Sequence, residues 1–199
     1  MVQRPPANVR IAVIIGSARA DNYTKKVAAM VVNVLEGHPD VEVDVIDPRH
    51  LRLFAPGQDG DGDAGQLKDR IDACTAIVFA TPEYHGSFSA ITKLIIENLG
   101  FPSALKGKPV ALLGVASGKI GAVKSLEHLR SVCSHVGALV LPGPVSVARV
   151  TEIFDDQGNC TDPTTEAQIH GLGESLLDYV KQSICPAFEL EAMVRADEV

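Results

Sequence analysis

Three short segments of this 199-residue chain combine hydrogen-bond donors with turn-forming residues: "GSARADNYT" (16–24), "TPEYHGS" (81–87) and "ASGKIGA" (116–122). In the first, Gly16 permits a tight turn. Ser17, Asn22 and Thr24 offer hydroxyl and amide donors, Arg19 adds a cation, and a helix N-terminus with unpaired N–H groups follows. That is the chemistry of a phosphate cradle, although GxGxxG, the dinucleotide fingerprint, is absent. An ordinary capped turn with Asn22 or Thr24 as N-cap accounts for the same residues. In the second segment Pro82 and Gly86 fix an irregular loop whose backbone polar groups cannot all pair with one another. With Tyr84 as an aromatic wall, it suits a flat polar heterocycle. A plainer account ends the strand at Pro82 and caps the next helix with Ser87 or Ser89, but it leaves Tyr84 and His85 without a task. The third segment is again small, flexible and rich in donors.

The apolar pattern supplies the elements that position these segments. Short continuous apolar runs predict strands at 9–16, 76–81, 108–116 and 138–141, and an alternating apolar and acidic run predicts an edge strand at 41–47. Helical periodicity covers 22–37, 89–98, 122–137 and 165–184, with a short helix at 66–74 after a Gly- and Asp-rich loop at 55–66. Strands apolar on both faces and separated by helices make a doubly wound α/β domain, because right-handed crossovers leave few other arrangements. Ligands of such sheets bind outside the C-terminal strand ends. All three segments lie at such ends.

Composition narrows the function classes. A formal net charge of −7 with no basic stripe argues against a nucleic-acid surface. No apolar run approaches the roughly 20 residues of a membrane span, and "MVQRPPAN" lacks the apolar stretch of a signal peptide, so a cytoplasmic protein is expected. Cys74, Cys133, Cys160 and Cys185 form no CxxC pair, which suggests neither zinc nor a disulfide framework. Cys133 falls in phase with the apolar face of its helix.

Other motifs fail on inspection. "DGDGDAGQLKDR" (59–70) imitates a calcium loop through Asp59, Asp61 and Asp63, but Ala64 stands where glycine is needed and Arg70 where a bidentate glutamate belongs. "GVASGKI" has the wrong glycine spacing for a nucleoside-triphosphate loop. His128 and His135 lie seven apart, which is not ligand spacing. Lys25 and Lys26 read as a solvated face rather than a phosphate field. No metal is expected.

Taken together, "GSARADNYT" and "TPEYHGSFSAITKLIIENL" resemble the motif pair of the NADPH-dependent FMN reductases, and the similarity extends through "LRSVCSHVGALVLPG" over residues 9–142. The resemblance implies a flavodoxin-like, five-stranded parallel sheet in the order 2-1-3-4-5, with helices on both faces. It implies one domain over 1–199, with 1–8 and 185–199 as loose tails. It places the FMN phosphate on Ser17, Arg19, Asn22, Tyr23 and Thr24, and the isoalloxazine against Pro82, Glu83, Tyr84, His85 and Gly86, with Ser117 and Gly118 lining the same pocket. No catalytic side chain is implied, because the cofactor carries the chemistry. The implied activity is hydride transfer from NADPH or NADH to FMN and onward to a small-molecule acceptor such as a flavin or quinone. A homodimer or homotetramer is the implied assembly. The chain departs from the family at Asn22 and Thr24, where serine and asparagine are common, and at His85, where asparagine is frequent. The alternative reading is a flavin-binding electron carrier or regulatory protein without nicotinamide turnover. It is weakened by the absence of a "TxTGNT" phosphate loop.

Overall fold

The computed structural model describes residues 9–58, 60, 62–155, 157–187 and 190. The sheet is parallel along its main path, and its elements follow the predicted alternation: β1 (Val9–Ile15), α1 (Tyr23–Glu36), β2 (Val41–Ile46), α2 (Ala64–Asp72) and β3 (Ala76–Tyr84). Then come β4 (Ser87–Phe88), α3 (Ala90–Glu97), β5 (Pro109–Val115), α4 (Val123–His135), β6 (Leu139–Val140), β7 (Val145–Val147) and α5 (Pro163–Tyr179). The strand order along the path is β2-β1-β3-β5-β6, with β4 on β3 and β7 on β5.

The expected five strands are therefore seven, and two differences explain the count. The last strand, expected at 138–141, is interrupted by Pro142-Gly143-Pro144 and resumes as β7. β6 pairs with the start of β5 through Pro109↔Leu139, and β7 with its end through Val115↔Val147. Two prolines without N–H donors cannot continue a ladder, so the edge strand breaks there. The segment after Thr81 is not an irregular loop. β3 runs on to Tyr84 and folds back antiparallel on β4, with Tyr84 opposite Ser87. Pro82 does not end the strand, because β1 stops opposite Ala80 and leaves β3 a free edge on that side, where proline is tolerated. His85 (φ 51°) and Gly86 (φ 73°) form the turn, with both central residues left-handed as a two-residue type I′ hairpin requires.

Sheet residues alternate between two apolar layers. Ile11, Val13, Ile15, Val78 and Leu113 pack beneath α1 and α5, against Val27, Val31, Leu172 and Leu176. Ala12, Ile14, Ile77, Phe79 and Leu112 face α2, α3 and α4, against Ile71, Ile95 and Leu129. Cys133 lies in this second layer, fully buried as its phase predicted. α5 continues through a π-helical stretch, Val180–Ile184, into helical residues 185–187, where a tail was expected. The rest of that tail, apart from Leu190, lies outside the described residues, as do residues 1–8 and the calcium-loop mimics Asp59 and Asp61.

Candidate functional site

The C-terminal ends of β1, β3 and β5 meet around a cleft of about 320 Å³. Of the twelve predicted site residues, eight line it: Arg19, Asn22, Tyr23, Thr24, Pro82, Glu83, Tyr84 and Ser117. Ser17 lies buried at the start of the same first loop. His85, Gly86 and Gly118 are not in the cleft wall. The first two are the turn of the β3–β4 hairpin, and Gly118 accepts a hydrogen bond from the Arg149 backbone.

The first loop begins with a close approach of backbones. Gly16 donates to the Ala80 carbonyl at 2.7 Å, and a Cβ on Gly16 would lie 2.2 Å from Thr92 Oγ1. Beneath it, buried hydroxyls tie the two loops together. Ser89 Oγ donates to the Gly16 carbonyl at 2.5 Å, and Thr92 Oγ1 donates to Thr81 Oγ1 at 3.1 Å. Ser89 also caps α3 by accepting from the Thr92 N–H, so the helix start, the end of β1 and the end of β3 are fixed by one set of side chains. Asn22 caps α1, accepting from the Lys25 N–H at 2.7 Å while its amide donates to the Arg19 carbonyl. Asn22 rather than Thr24 is thus the N-cap.

This loop is rich in unspent donors. Among the described residues, none of the backbone N–H groups of residues 17–21 donates to a protein acceptor. The N–H groups of Tyr23 and Thr24 add to them as first-turn orphans of α1. The Ser17 hydroxyl is buried with no hydrogen-bond partner among the described residues. Buried polar atoms are nearly always paired, so an orphan hydroxyl in a loop whose backbone N–H groups are unspent suits an acceptor-rich ligand. The positive end of the α1 dipole adds to the preference for an anion.

The lysines discounted from sequence have other tasks. Lys25 Nζ bonds Asp47 at 3.2 Å, and Lys26 Nζ stands 4.9 Å over the Tyr23 ring and 5.9 Å over Phe154. The Glu83 carboxylate accepts from the Ser125 N–H at 3.1 Å, capping α4, which has no side-chain cap of its own. The Glu83 carboxylate is thus engaged at the start of α4.

Sequence reasoning missed Asp21, Val115, Val150 and Thr151 in the lining. Val150 and Thr151 arrive because β7 continues the broken edge strand, and Ala116 and Val147 then bond through their backbones. The alternation of "VSV" after "PGP" was the available signal.

A 2-hydroxy-1,4-benzoquinone reductase of a Burkholderia species is 26% identical over 179 residues, covering 87% of this chain and 97% of the relative. An FMN-dependent NADPH-azoreductase of Staphylococcus haemolyticus is 30% identical over 142 residues, covering 67% of this chain and 74% of its own. A flavoenzyme NAD(P)H:acceptor oxidoreductase from Paracoccus denitrificans superposes with a TM-score of 0.74 at 25% identity, covering 87% of this chain and 98% of that one. Residues 9–152, which span all three cleft-forming loops, match the NADPH-dependent FMN reductase family, and the chain belongs to that family.

Proposed function

We propose that this protein is an FMN-dependent NAD(P)H oxidoreductase that delivers electrons to a planar small-molecule acceptor of the quinone type. The observation that carries the reading is the buried, unpartnered Ser17 hydroxyl in a loop whose backbone N–H groups have no protein acceptors. A phosphate monoester fits this donor set, since its oxygens can take several N–H bonds and the helix dipole at once.

When bound, FMN accepts hydride from a reduced nicotinamide and passes electrons on. The chain's own groups bind and orient. Ser17, the N–H groups of residues 18–21 and the N-terminus of α1 would hold the phosphate, with Arg19 at the rim. The backbone of Pro82–Tyr84 and the Ser117 loop would hold the ring system, and the half-exposed Tyr84 ring offers a flat surface to a planar partner. The β3–β4 hairpin fixes that wall, and Glu83 ties it to α4. This pre-positioning is what the protein contributes. We read the chain as a single domain, a reading supported by two apolar layers that rest on one sheet.

The test is a stopped-flow experiment in which FMN-loaded protein, reduced anaerobically with NADPH, is mixed with 1,4-benzoquinone or with an azo dye. Fast reoxidation by the quinone is expected. FMN-loaded protein that neither NADPH nor NADH reduces would overturn the reading in favour of a carrier, and a reduced protein that passes electrons to neither compound would overturn the acceptor class.

A further inference from the structure

Behind the phosphate loop lies a group of charged side chains that the reading above does not use. Asp47, at the end of β2 and 9% exposed, accepts from Arg49 Nε at 3.0 Å and from Arg49 Nη2 at 2.6 Å. It also accepts from the Arg49 N–H and from Lys25 Nζ. The remaining guanidinium nitrogen of Arg49 reaches the loop: Nη1 donates to the Ala20 carbonyl at 3.4 Å. One peptide earlier, the Asn22 amide holds the Arg19 carbonyl at 2.7 Å.

Two successive carbonyls are thus held by side chains. In a trans peptide the C=O and the following N–H point in opposite directions, so fixing the Arg19 and Ala20 carbonyls fixes where the Ala20 and Asp21 N–H groups point. Both N–H groups are among those without a protein acceptor, and Asp21 lines the cleft. We propose that Arg49, braced by Asp47, is a positioning residue for the flavin phosphate: it holds the Ala20 peptide so that the N–H groups of the loop are aimed before the ligand arrives. This rests on the FMN reading of the cleft.

Arg49 acts through the loop and not as a charge on the phosphate. Its guanidinium is already neutralised by the Asp47 carboxylate through a two-nitrogen contact. Arg49 holds that carboxyl well below the usual range, so the pair stays ionised across the physiological span. Lys25 makes a third arm, tying the same carboxylate to the first turn of α1.

The experiment compares FMN and riboflavin, which share the ring system and differ by the phosphate. Affinities are measured by flavin fluorescence quenching for the wild-type protein, Arg49→Ala and Arg49→Lys, over a range of salt concentrations, with thermal unfolding of the flavin-free proteins alongside. Arg49→Ala is expected to weaken FMN by about tenfold, the scale of one charge-assisted hydrogen bond, and to leave riboflavin within about twofold. Arg49→Lys should recover part of the loss, because an ammonium can still donate to the Ala20 carbonyl. The salt dependence of FMN binding should be the same in wild type and Arg49→Ala, since no phosphate charge contact has been removed. Equal weakening of both flavins would assign Arg49 to general stability and overturn the inference, as would unchanged FMN affinity. A flattened salt dependence would make Arg49 a direct phosphate ligand and also overturn it. Wild-type protein that binds riboflavin as tightly as FMN would remove the phosphate site itself, a failure of the underlying reading that these variants cannot imitate.

Discussion

Ser17 is a residue whose value depends on what sits above it. Its hydroxyl is buried without a partner, a state that costs about 1–3 kcal/mol in a folded protein. Ser17→Ala should therefore leave the flavin-free protein equally stable or about 1 kcal/mol more stable, while FMN affinity drops about tenfold. Urea unfolding and an FMN titration measure the two effects on one sample, and a variant that loses stability without losing affinity would contradict the assignment. His85 makes the opposite case. It sits at a left-handed position, where asparagine is better tolerated, and its side chain is outside the cleft wall. His85→Asn should raise stability by about 0.5 kcal/mol with FMN affinity unchanged, which thermal unfolding and titration can check. The family resemblance alone placed His85 against the flavin ring. Turn geometry reassigns the position to a hairpin, because an Asn-Gly pair is the strongest type I′ signal and His-Gly satisfies the same backbone requirement less well. Ser17, Asn22 and Tyr84 were legible from residue type and position after a strand. The roles of Asp47 and Arg49 were not, because the Lys25 ammonium and the Ala20 carbonyl that they hold lie on other segments and only the folded register brings them together.

At the scale of elements, the site depends on junctions rather than on helix or strand interiors. The Gly16 turn is the tightest: any Cβ there meets Thr92 Oγ1 at 2.2 Å and the Ala80 carbonyl at 2.8 Å. Gly16→Ala should cost about 2 kcal/mol through displacement of the buried hydroxyl set, read from the midpoint of urea unfolding at constant slope. The N-terminus of α4 has no cap except Glu83 from the neighbouring strand. Glu83→Ala should cost about 1 kcal/mol and Glu83→Gln less, because the amide oxygen still accepts from the Ser125 N–H. Strand and helix order were legible because the buried strands are continuous apolar runs and the helices keep one apolar face. The two errors at element scale share a cause. Beyond Thr81 and beyond Leu141, polar or proline-containing residues conceal strands that exist because a neighbouring strand edge is available. Such pairing is tertiary and leaves only a faint local pattern.

For the molecule as a whole, pH acts through a few groups of opposite sign. The Arg49-paired carboxyl of Asp47 is depressed below its unfolded value of about 3.9, so its contribution is complete above about pH 4 and lost as pH falls towards the folded value. The stability gap between wild type and Asp47→Asn should therefore be widest near neutrality and shrink on acidification below about pH 4, as urea unfolding across that range would show. Burial pushes the Cys74 thiol up to about 11 and the Cys133 thiol up to about 12. Both stay protonated at neutral pH, and the stability from burying them neutral is present below about pH 8.5 and is lost as pH rises through those values. No helix among the described residues is long and apolar enough to cross a membrane. The two-layered sheet instead directs its unspent donors to one end, where three loops and the edge-strand continuation meet. The most direct test of that arrangement is the visible spectrum of the protein after FMN is added and unbound flavin is removed, recorded before and after anaerobic NADPH. Retained absorbance near ~450 nm that bleaches with the nucleotide is the predicted result. Protein that emerges colourless, or coloured but unchanged by both NADPH and NADH, would contradict the account.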